Sequence, residues 1–502
     1  MKRALPFLLL TGLATPFLAK PVHVDDANFL ALARQAAATP WTPHSGTINW
    51  QGQTERAFDV LSNPPGIAWW LAPVANAEVW VAHLWMLPWL WLAIWGGMRL
   101  GSAVSGHGQA AALLLVGSPV AVLATHALTP DLPLLACTLA GMGGLLQCRP
   151  KHRWMWAMLV GAGALFRYSG AALIPVVALW PLLRSQRREA IGLGMAAATP
   201  LALLVLHDLH AYGAVHLVAM TGFQGVAHSG TDILHKASAA VGMLGGAVVL
   251  PLLCWSHTRR AVVGAMVGAG LGCTAISVLG LSGGAAISGL IATAAGGATL
   301  GGCWVVEDET DRLLLWWLGI GLCFLLYLRF TAARYWIPFM APAVLLGLRR
   351  AQERWIQAAV ALTLALSLGL ATDDLELSQA QQRSAQQAAQ HGPGLIAGHW
   401  GFQHALEQRG WVALEDDSML PPQGVLARSP NAWPQAATGC HTLISSHTTA
   451  DAWPGPRVHT RQGGANIHGF MISDQPPMPV IAPWSFGRDP QDTLELYRAC
   501  PD

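Results

Sequence analysis

Charge is the scarcest property of this 502-residue chain. Asp, Glu, Lys and Arg make up only 11% of the residues, whereas 53% are hydrophobic and the mean hydropathy is +0.40. So apolar a composition excludes an ordinary soluble enzyme. A net charge of +2 gives no indication of a nucleic-acid partner. The eight cysteines contain no C-x-x-C pair, which excludes the usual cysteine-based metal sites.

Two of the cysteines differ from the others in their surroundings. Six lie in or beside apolar segments, where a thiol behaves as a small hydrophobe. Cys440 and Cys500 lie instead in the polar C-terminal region. Disulfides persist in oxidising compartments, so these two could form one if the region lies outside the cytoplasm. The sequence leaves their proximity open.

Long apolar runs separated by short basic clusters predict a polytopic α-helical membrane protein. The first run also has the pattern of a signal peptide, with a small-residue site near Ala19. The region 154–183 fits either one long helix or two short ones. The runs predict about thirteen transmembrane helices, at 4–19, 79–98, 109–126, 128–147, 154–166, 168–183, 190–206, 236–255, 261–281, 284–304, 313–328, 336–348 and 355–372.

The basic clusters give this membrane domain, residues 1–372, a consistent orientation. With Lys2 and Arg3 inside, the short outer connections carry far fewer cations than the inner ones. Within the C-terminal region, 394–397 and 442–445 have the pattern of short strands. This orientation predicts three regions on the outer face: a loop with interfacial helices at 20–78, a loop at 207–235, and a small soluble α/β domain at 373–502.

An adjacent acidic pair, Asp25 and Asp26, follows the first apolar run. Charge at the membrane boundary of so apolar a chain requires a reason. The pair could cap a helix over 27–38, because Asp accepts hydrogen bonds from the free amides of a first helical turn. It could also be reactive, since Asp131 opens the fourth predicted span at the same depth. Asp131 itself also fits a plain helix start, and all these interpretations stay open.

Two arginines are predicted near the same outer boundary. Arg167 interrupts an apolar stretch, and Arg334 directly precedes Tyr335. Nearby Arg329 is explained more simply by its side chain reaching the interface. The planar guanidinium donates two parallel hydrogen bonds and therefore suits phosphate.

Acids and arginines on one face suit the transfer of a sugar from a lipid phosphate. An acceptor hydroxyl needs a general base, and a departing phosphate needs cations to hold its charge. Membrane helices would hold the lipid carrier and keep both reactants within reach.

The order of these motifs resembles the GT-C glycosyltransferases. The acidic pair is followed by "NPP" at Asn63, Pro64 and Pro65, by "LTPDLP", by "FRYSG" and by "ARYWIPFMAP". More closely, the chain resembles the family 39 branch that contains protein O-mannosyltransferases and the lipid A aminoarabinose transferase. The resemblance covers roughly residues 1–370. It favours an uncleaved first span, and thirteen spans with an outer C-terminal domain are similar to the bacterial lipid A enzymes.

The resemblance implies a role for each site residue. Asp25, or its neighbour Asp26, matches the acid of the first outer loop, which acts as base or orients the acceptor. Asp131 matches a second acid that supports it. Arg167 stands where relatives often have a lysine near the donor phosphate. Arg334, together with Tyr335, completes the predicted phosphate site.

The chain departs from its relatives at the double proline, where Asn63, Pro64 and Pro65 form the predicted substrate loop. Relatives commonly carry His or Glu-Lys before the prolines, whereas this chain has Ser62 and Asn63. A charge or a metal ligand there is therefore in doubt. Some relatives use a divalent cation, but no ligand set is evident here and the metal stays unknown. His23 is a candidate ligand, although an ordinary interfacial histidine is the favoured interpretation.

The resemblance predicts an inverting glycosyltransferase of the bacterial inner membrane. It would move a sugar from a polyprenyl-phosphate donor to a lipid A, glycan or protein acceptor on the periplasmic face. One alternative is a transporter or flippase of lipid-linked sugars. Such proteins often show internal repeats and midplane charges, whereas no repeat is evident here and the charges lie at the outer edge. The other alternative is an O-antigen-ligase-like transferase that uses a diphosphate donor.

Overall fold

The computed structural model describes residues 4–50, 52–224, 230–247, 253, 258–328, 331–449, 453–460, 462–468 and 480–500. The helices of the N-terminal half are α1 Leu5–Ala14, α2 Asp26–Ala38, α3 Ala57–Val60, α4 Gly66–Leu71, α5 Val79–Val104, α6 Gly108–Val116, α7 Pro119–Thr125, α8 Asp131–Gln147, α9 Arg153–Ala162 and α10 Ile174–Leu183. The later helices are α11 Arg187–Tyr212, α12 His216–Gln224, α13 Gly230–Ala247, α14 Thr258–Leu279, α15 Gly283–Cys303, α16 Glu309–Tyr327, α17 Ala341–Leu348, α18 Glu353–Ala389 and α19 Trp400–Glu407.

The helical body has the character of a multi-pass membrane protein. Among the described residues, α5, α11, α14, α15, α16 and α18 are long and apolar enough to cross a membrane. The pair α6 and α7 would make a seventh span and bends by 69° at its break. Leu203 and Leu206 of α11 leave 59% and 62% of their surface exposed, as side chains that face lipid do. The count of thirteen spans is not confirmed.

Breaks in the helix interrupt two of the apolar regions. Pro119 occupies the first position of α7, where its missing N–H is tolerated but the preceding helix cannot continue through it. The region 154–183 divides into α9, two 3₁₀ segments and α10. It therefore consists of short helices, and the long-helix alternative is wrong.

The predicted outer loop at 207–235 is also wrong as a loop. Helix α11 continues to Tyr212, and α12 and α13 follow, with residues 225–229 outside the described part of the chain. The polar side chains that indicated a loop find partners locally. Asp208 accepts hydrogen bonds from the His216 backbone amide (3.2 Å) and interacts with the His207 ring (3.1 Å). Those bonds allow polar residues inside a helical segment.

A strand domain lies at the C-terminus, as predicted. The first two strands, β1 Thr47–Asn49 and β2 Thr54–Arg56, form a hairpin in the N-terminal half. The strands of the C-terminal region are β3 Leu395–Ala397, β4 Val412–Ala413, β5 Ser418–Met419, β6 Val425–Arg428, β7 Ala437–Thr438, β8 His441–Thr449, β9 His459–Thr460, β10 Ala465–Asn466 and β11 Asp492–Ala499. The main sheet has the order β4-β3-β6-β11-β8, in which β3 runs parallel to β4 and β6 while β11 is antiparallel to β6 and β8. The predicted strands at 394–397 and 442–445 fall in β3 and β8.

Helix α18 joins the helical body to the strand domain without a break at residue 372. Asp373, inside this helix, is fully buried and pairs with the equally buried Arg457 at 3.0 Å. It also accepts hydrogen bonds from the Val458 amide (2.7 Å) and from Gln491 (2.6 Å). A buried carboxylate is stable only when it is paired and hydrogen-bonded in this way. These contacts anchor the C-terminal region on α18.

Cys440 and Cys500 form a disulfide, which answers the question that the sequence left open. They lie at adjoining ends of β8 and β11, which are antiparallel neighbours. Their Cα atoms are 5.4 Å apart, and the Cys500 amide donates to the Cys440 carbonyl at 3.0 Å. The disulfide thus links the edge strand β8 covalently to its neighbour β11.

Replacing Cys440 with serine should destabilise the strand domain. The bridge spans a sequence separation of 60, for which the chain-entropy argument gives about 4 kcal/mol. We expect a lower midpoint of thermal unfolding and faster proteolysis of the C-terminal region in the detergent-purified protein. Cys273→Ser, at an exposed free cysteine, is the control and should change neither. Equal behaviour of the two variants would contradict a stabilising role for the bridge.

Candidate active site

The segment between α1 and α2 makes a tight turn directly before the acidic pair. Val24 has a φ of 46°, in the left-handed region that β-branched residues avoid. Such a conformation costs on the order of 1–3 kcal/mol and persists only where surrounding contacts hold it. The turn is held on its C-terminal side by Asp25 and Asp26, whose side chains have different partners.

Asp25 pairs with a cation from a distant part of the chain. Its Oδ2 accepts a hydrogen bond from Nη1 of Arg334 at 2.6 Å, and both side chains are partly exposed, at 13% and 19%. Asp25 stands at the N-cap of α2, yet its side chain caps nothing; its backbone carbonyl accepts from Asn28 and Phe29. The capping interpretation of the acidic pair therefore does not hold for the Asp25 side chain.

Asp26 is bound by backbone amides instead. It is completely buried, and its two carboxylate oxygens accept from the amides of Leu128 (2.8 Å) and His23 (3.3 Å). Burial raises the pKa of the Asp26 carboxyl to about 6, although Lys20 and these hydrogen bonds oppose the rise. Asp26 thus connects the turn to the segment that precedes α8. Its role is structural.

A second acid–cation pair lies next to the first. Asp131 is the first residue of α8 and is buried, and its carboxylate is paired with Arg167, an extended residue between two 3₁₀ segments. The Arg167 guanidinium lies 4.5 Å from the centre of the Tyr335 ring, and that of Arg334 lies 5.9 Å from the same ring. Tyr335 therefore contacts both cations. The structure brings together Asp25, Asp131, Arg167, Arg334 and Tyr335.

These pairs stand between three cavities. The central cavity, about 430 Å³, is bordered by Asp26, Asp131 and Arg334. The domain cavity, about 630 Å³, lies between Asp25 with Arg334 and the C-terminal region. The apolar groove, about 920 Å³, has Arg167 and Tyr335 at its polar side. Its apolar lining is formed by Ala171, Ala172, Leu217, Met220, Phe324 and Leu328.

The Asn63-Pro64-Pro65 loop packs against the segment that carries Arg167. Asn63 lines the apolar groove, Pro64 and Pro65 are buried, and Pro65 stands at the N-cap of α4. A Cβ on the following residue, Gly66, would lie 2.3 Å from the Leu165 carbonyl oxygen, so only glycine permits this close approach. The loop thus forms part of the groove wall.

Two histidines near this loop are neutral. Burial is the main reason that the pKa of His44 falls to about 3 and that of His216 to about 4. The His44 ring lies 3.1 Å from the Asn63 carbonyl oxygen, and the His216 ring hydrogen-bonds to the Tyr168 hydroxyl at 2.8 Å. They act as hydrogen-bonding groups, which leaves the arginines as the cations beside the groove.

Sequence reasoning missed a cluster on the other side of Asp25. Lys20 donates to Asp374 Oδ2 at 2.6 Å, and the rings of His23 and His468 face Asp374 Oδ1 at 3.4 and 3.0 Å. The interfacial interpretation of His23 is wrong, because only 3% of its surface is exposed. Lys20 and Asp374 both stand next to the end of an apolar run, and that placement was the available signal. Arg329 lies outside the described residues.

Two solved structures match the chain, and both are of ArnT from Cupriavidus metallidurans. The form bound to undecaprenyl phosphate has a TM-score of 0.43 and 14% sequence identity, over 84% of this chain and 93% of that one. The apo form has a TM-score of 0.40 and 15% identity, over 80% and 84%. No protein-family model and no curated protein matches the chain.

Asp26→Asn should reduce stability more than it reduces activity per folded molecule. The amide group of asparagine can accept through only one atom, so one of the two backbone amides bound by Asp26 would lose its acceptor. A buried donor without a partner costs about 1–3 kcal/mol. Thermal unfolding of the purified protein measures the loss, and Asp59→Asn, at an exposed position, is the control. An unfolding midpoint equal to that of the unaltered protein would contradict the structural role.

Proposed function

We propose that this protein is an inverting glycosyltransferase of the GT-C type. It moves a sugar from a polyprenyl-phosphate donor to an acceptor hydroxyl at the periplasmic face of a bacterial inner membrane. One observation carries the proposal: the pairs Asp25–Arg334 and Asp131–Arg167 share Tyr335 where an apolar groove meets two cavities that have charged and histidine side chains in their lining.

The apolar groove suits the polyprenyl chain of the donor. Six of its lining side chains are alanine, leucine, methionine or phenylalanine, and Arg167 stands at its polar side. Burying an isoprenoid chain there contributes roughly 25 cal/mol for each Å² of apolar surface removed from water. The phosphate at the end of the chain then meets a guanidinium, which binds two of its oxygens at once. Chain and headgroup are thus held by separate parts of one site.

The proposed reaction is a direct displacement at the anomeric carbon. The Asp25 carboxylate takes the proton of the acceptor hydroxyl while the acceptor oxygen forms its bond to that carbon. The bond from the carbon to the phosphate oxygen breaks, and polyprenyl phosphate leaves with the electron pair. Arg167 and Arg334 hold the charge that develops on the phosphate. Asp131 keeps the Arg167 fork oriented.

Donor binding also prepares the base. In this structure Arg334 is held by Asp25. The donor phosphate is a phosphodiester with one negative charge, and it competes for the guanidinium by accepting hydrogen bonds through two oxygens. This competition releases the Asp25 carboxylate for the acceptor. The partial exposure of both side chains leaves room for this exchange of partners. The order of binding would then be donor first and acceptor second.

The acceptor is assigned to the domain cavity, between Asp25 and the C-terminal region. The polar lining of that cavity includes Gln381, Asn431 and Asn466, which suits hydroxyl groups of lipid A, another glycan or a protein. The disulfide of the C-terminal region supports an oxidising location for this face. A flippase would not require a carboxylate beside the donor phosphate. A diphosphate donor, as in O-antigen-ligase-like enzymes, could also be held by two arginines, and the assay must distinguish it.

Asp25→Asn should lower the transfer rate by about 10²–10⁴, the usual contribution of a general base. The measurement is the transfer of radiolabel, in liposomes with the purified protein, from undecaprenyl-phosphate sugars to lipid, glycan and protein fractions. Parallel reactions contain the matching diphosphate donors. Arg167→Lys keeps the charge but loses the fork, so we expect a raised KM for the donor.

The control substitutions for this assay replace residues of exposed ion pairs. Asp59→Asn in the first outer region and Arg383→Gln in α18 remove charges of the same kinds, and both should keep full activity. Full activity of a normally folded Asp25→Asn variant would remove the central claim. Movement of intact donor across the vesicle without covalent transfer would favour a flippase, and transfer from the diphosphate donors alone would favour the ligase-like alternative.

Ala172→Trp should narrow the apolar groove and weaken binding of long-chain donors. Loss of about 1.4 kcal/mol of contact with the chain corresponds to a roughly tenfold rise in KM. A donor with a short isoprenoid chain should be affected much less, because it does not reach the narrowed part. Ile191→Trp, at an exposed apolar position of α11, is the matched control. An equal rise for both chain lengths would argue against the groove as the lipid site.

A further inference from the structure

Three metal-binding side chains from distant parts of the sequence converge beside the proposed active site. His23 precedes α2, Asp374 lies in α18, and His468 belongs to the C-terminal region. Each offers one ligand atom, and these atoms all lie within 4.8 Å of one another. Asp374 Oδ1 is 3.4 Å from His23 Nε2 and 3.0 Å from His468 Nε2.

These separations are close to those of a tetrahedral zinc site. Zinc binds imidazole nitrogen and carboxylate oxygen at about 2.0–2.2 Å, which places neighbouring ligand atoms about 3.4 Å apart. A small adjustment of the rings is therefore enough to enclose an ion. Two imidazoles and one carboxylate also leave a fourth position open. Magnesium is disfavoured, because it prefers oxygen ligands and two of these three donors are nitrogen.

His23 is the group that a purely structural explanation leaves unaccounted for. It is 97% buried, and within the described part of the chain its Nδ1 has no hydrogen-bond partner, while its Nε2 has a single long contact of 3.4 Å with Asp374 Oδ1. A buried polar atom without a partner costs free energy unless something absent from the protein itself binds it. Its Nε2 faces the Asp374 carboxylate. An ion between the two rings and the carboxylate would satisfy it.

Lys20 fixes the orientation of the carboxylate. Its ammonium group holds Asp374 Oδ2 at 2.6 Å, which leaves Oδ1 for the ion. Groups that bind the outer atom of a metal ligand commonly set its geometry in this way. The Lys20 charge also repels a cation, so the affinity is expected to be micromolar rather than nanomolar.

We propose that His23, Asp374 and His468 form a binding site for a zinc ion. The fourth position faces the space that His23 and His468 share with Arg334, since all three line both the central and the domain cavities. That position takes water or an oxygen of a bound ligand, with phosphate oxygen as the expected class. The ion would also join the segment after α1, helix α18 and the C-terminal region. Zinc binding itself does not depend on the transfer reaction.

The test measures zinc binding by the purified full-length protein. The protein is first treated with a chelator and is then titrated with ZnCl₂ in an isothermal titration calorimeter. We expect one site per chain with micromolar affinity, and X-ray absorption showing two imidazole ligands with additional oxygen ligands. His468→Gln should weaken this site at least tenfold, since it removes one of three protein ligands. Magnesium chloride in place of zinc should give no comparable binding.

The variants are chosen so that misfolding cannot imitate loss of the site. His468 is the most exposed of the three ligands and is therefore the first to be replaced, and His23→Gln is the second. His447→Ala, at an exposed position of β8, removes a histidine elsewhere and should bind zinc normally. Normal thermal unfolding of each variant without metal is required. Zinc binding unchanged in both His468→Gln and His23→Gln, or absent from the unaltered protein, would overturn the proposal, whatever the result of the transfer assay.

Discussion

Pairing of buried charges is the constraint on which this structure depends. At one end of the helical body, Lys20 with Asp374, Asp25 with Arg334, Asp131 with Arg167 and Asp373 with Arg457 form four ion pairs. Removing one partner of a buried pair costs about 3–5 kcal/mol, because an uncompensated charge is left in an apolar environment. Each pair joins segments that are far apart in sequence. The same contacts therefore hold the fold together and assemble the site.

The four ion pairs differ in their access to solvent. That difference distinguishes pairs that only hold the fold together from pairs that are accessible from a cavity. The Asp373–Arg457 pair is fully buried and bound by further hydrogen bonds, so neither partner can exchange. The Asp25–Arg334 pair is partly exposed and borders a cavity. A charge that must bind substrate needs this intermediate state, in which it is held in place but can change partner. Asp25 and Asp26 show the same contrast between neighbours, because one meets a guanidinium and the other meets backbone amides.

Local patterns were enough to predict the helical membrane body, the C-terminal strands and the placement of several acids and arginines on one face. Hydropathy and the position of cations are properties of short segments, so they can be read without knowing the fold. The partner of Asp25 could not be read in this way, because Arg334 is 309 residues away. The choice between Asp25 and Asp26 stayed open in the sequence for the same reason, because the partners of both side chains lie far along the chain. The loop at 207–235 was misjudged because buried hydrogen bonds admit polar residues into a helical segment. The count of thirteen spans is not confirmed.

The length of chain between Lys20 and Asp374 has a consequence for biosynthesis. Membrane proteins are made from the N-terminus onward, and these two residues are 354 positions apart. Lys20 is therefore synthesised early, and its partner Asp374 becomes available only when translation has reached α18, the last long helix. Arg334 likewise arrives long after Asp25. A ribosome that stalls before α18 leaves a fragment without Asp374, so the ion pair with Lys20 cannot form until that helix has been synthesised.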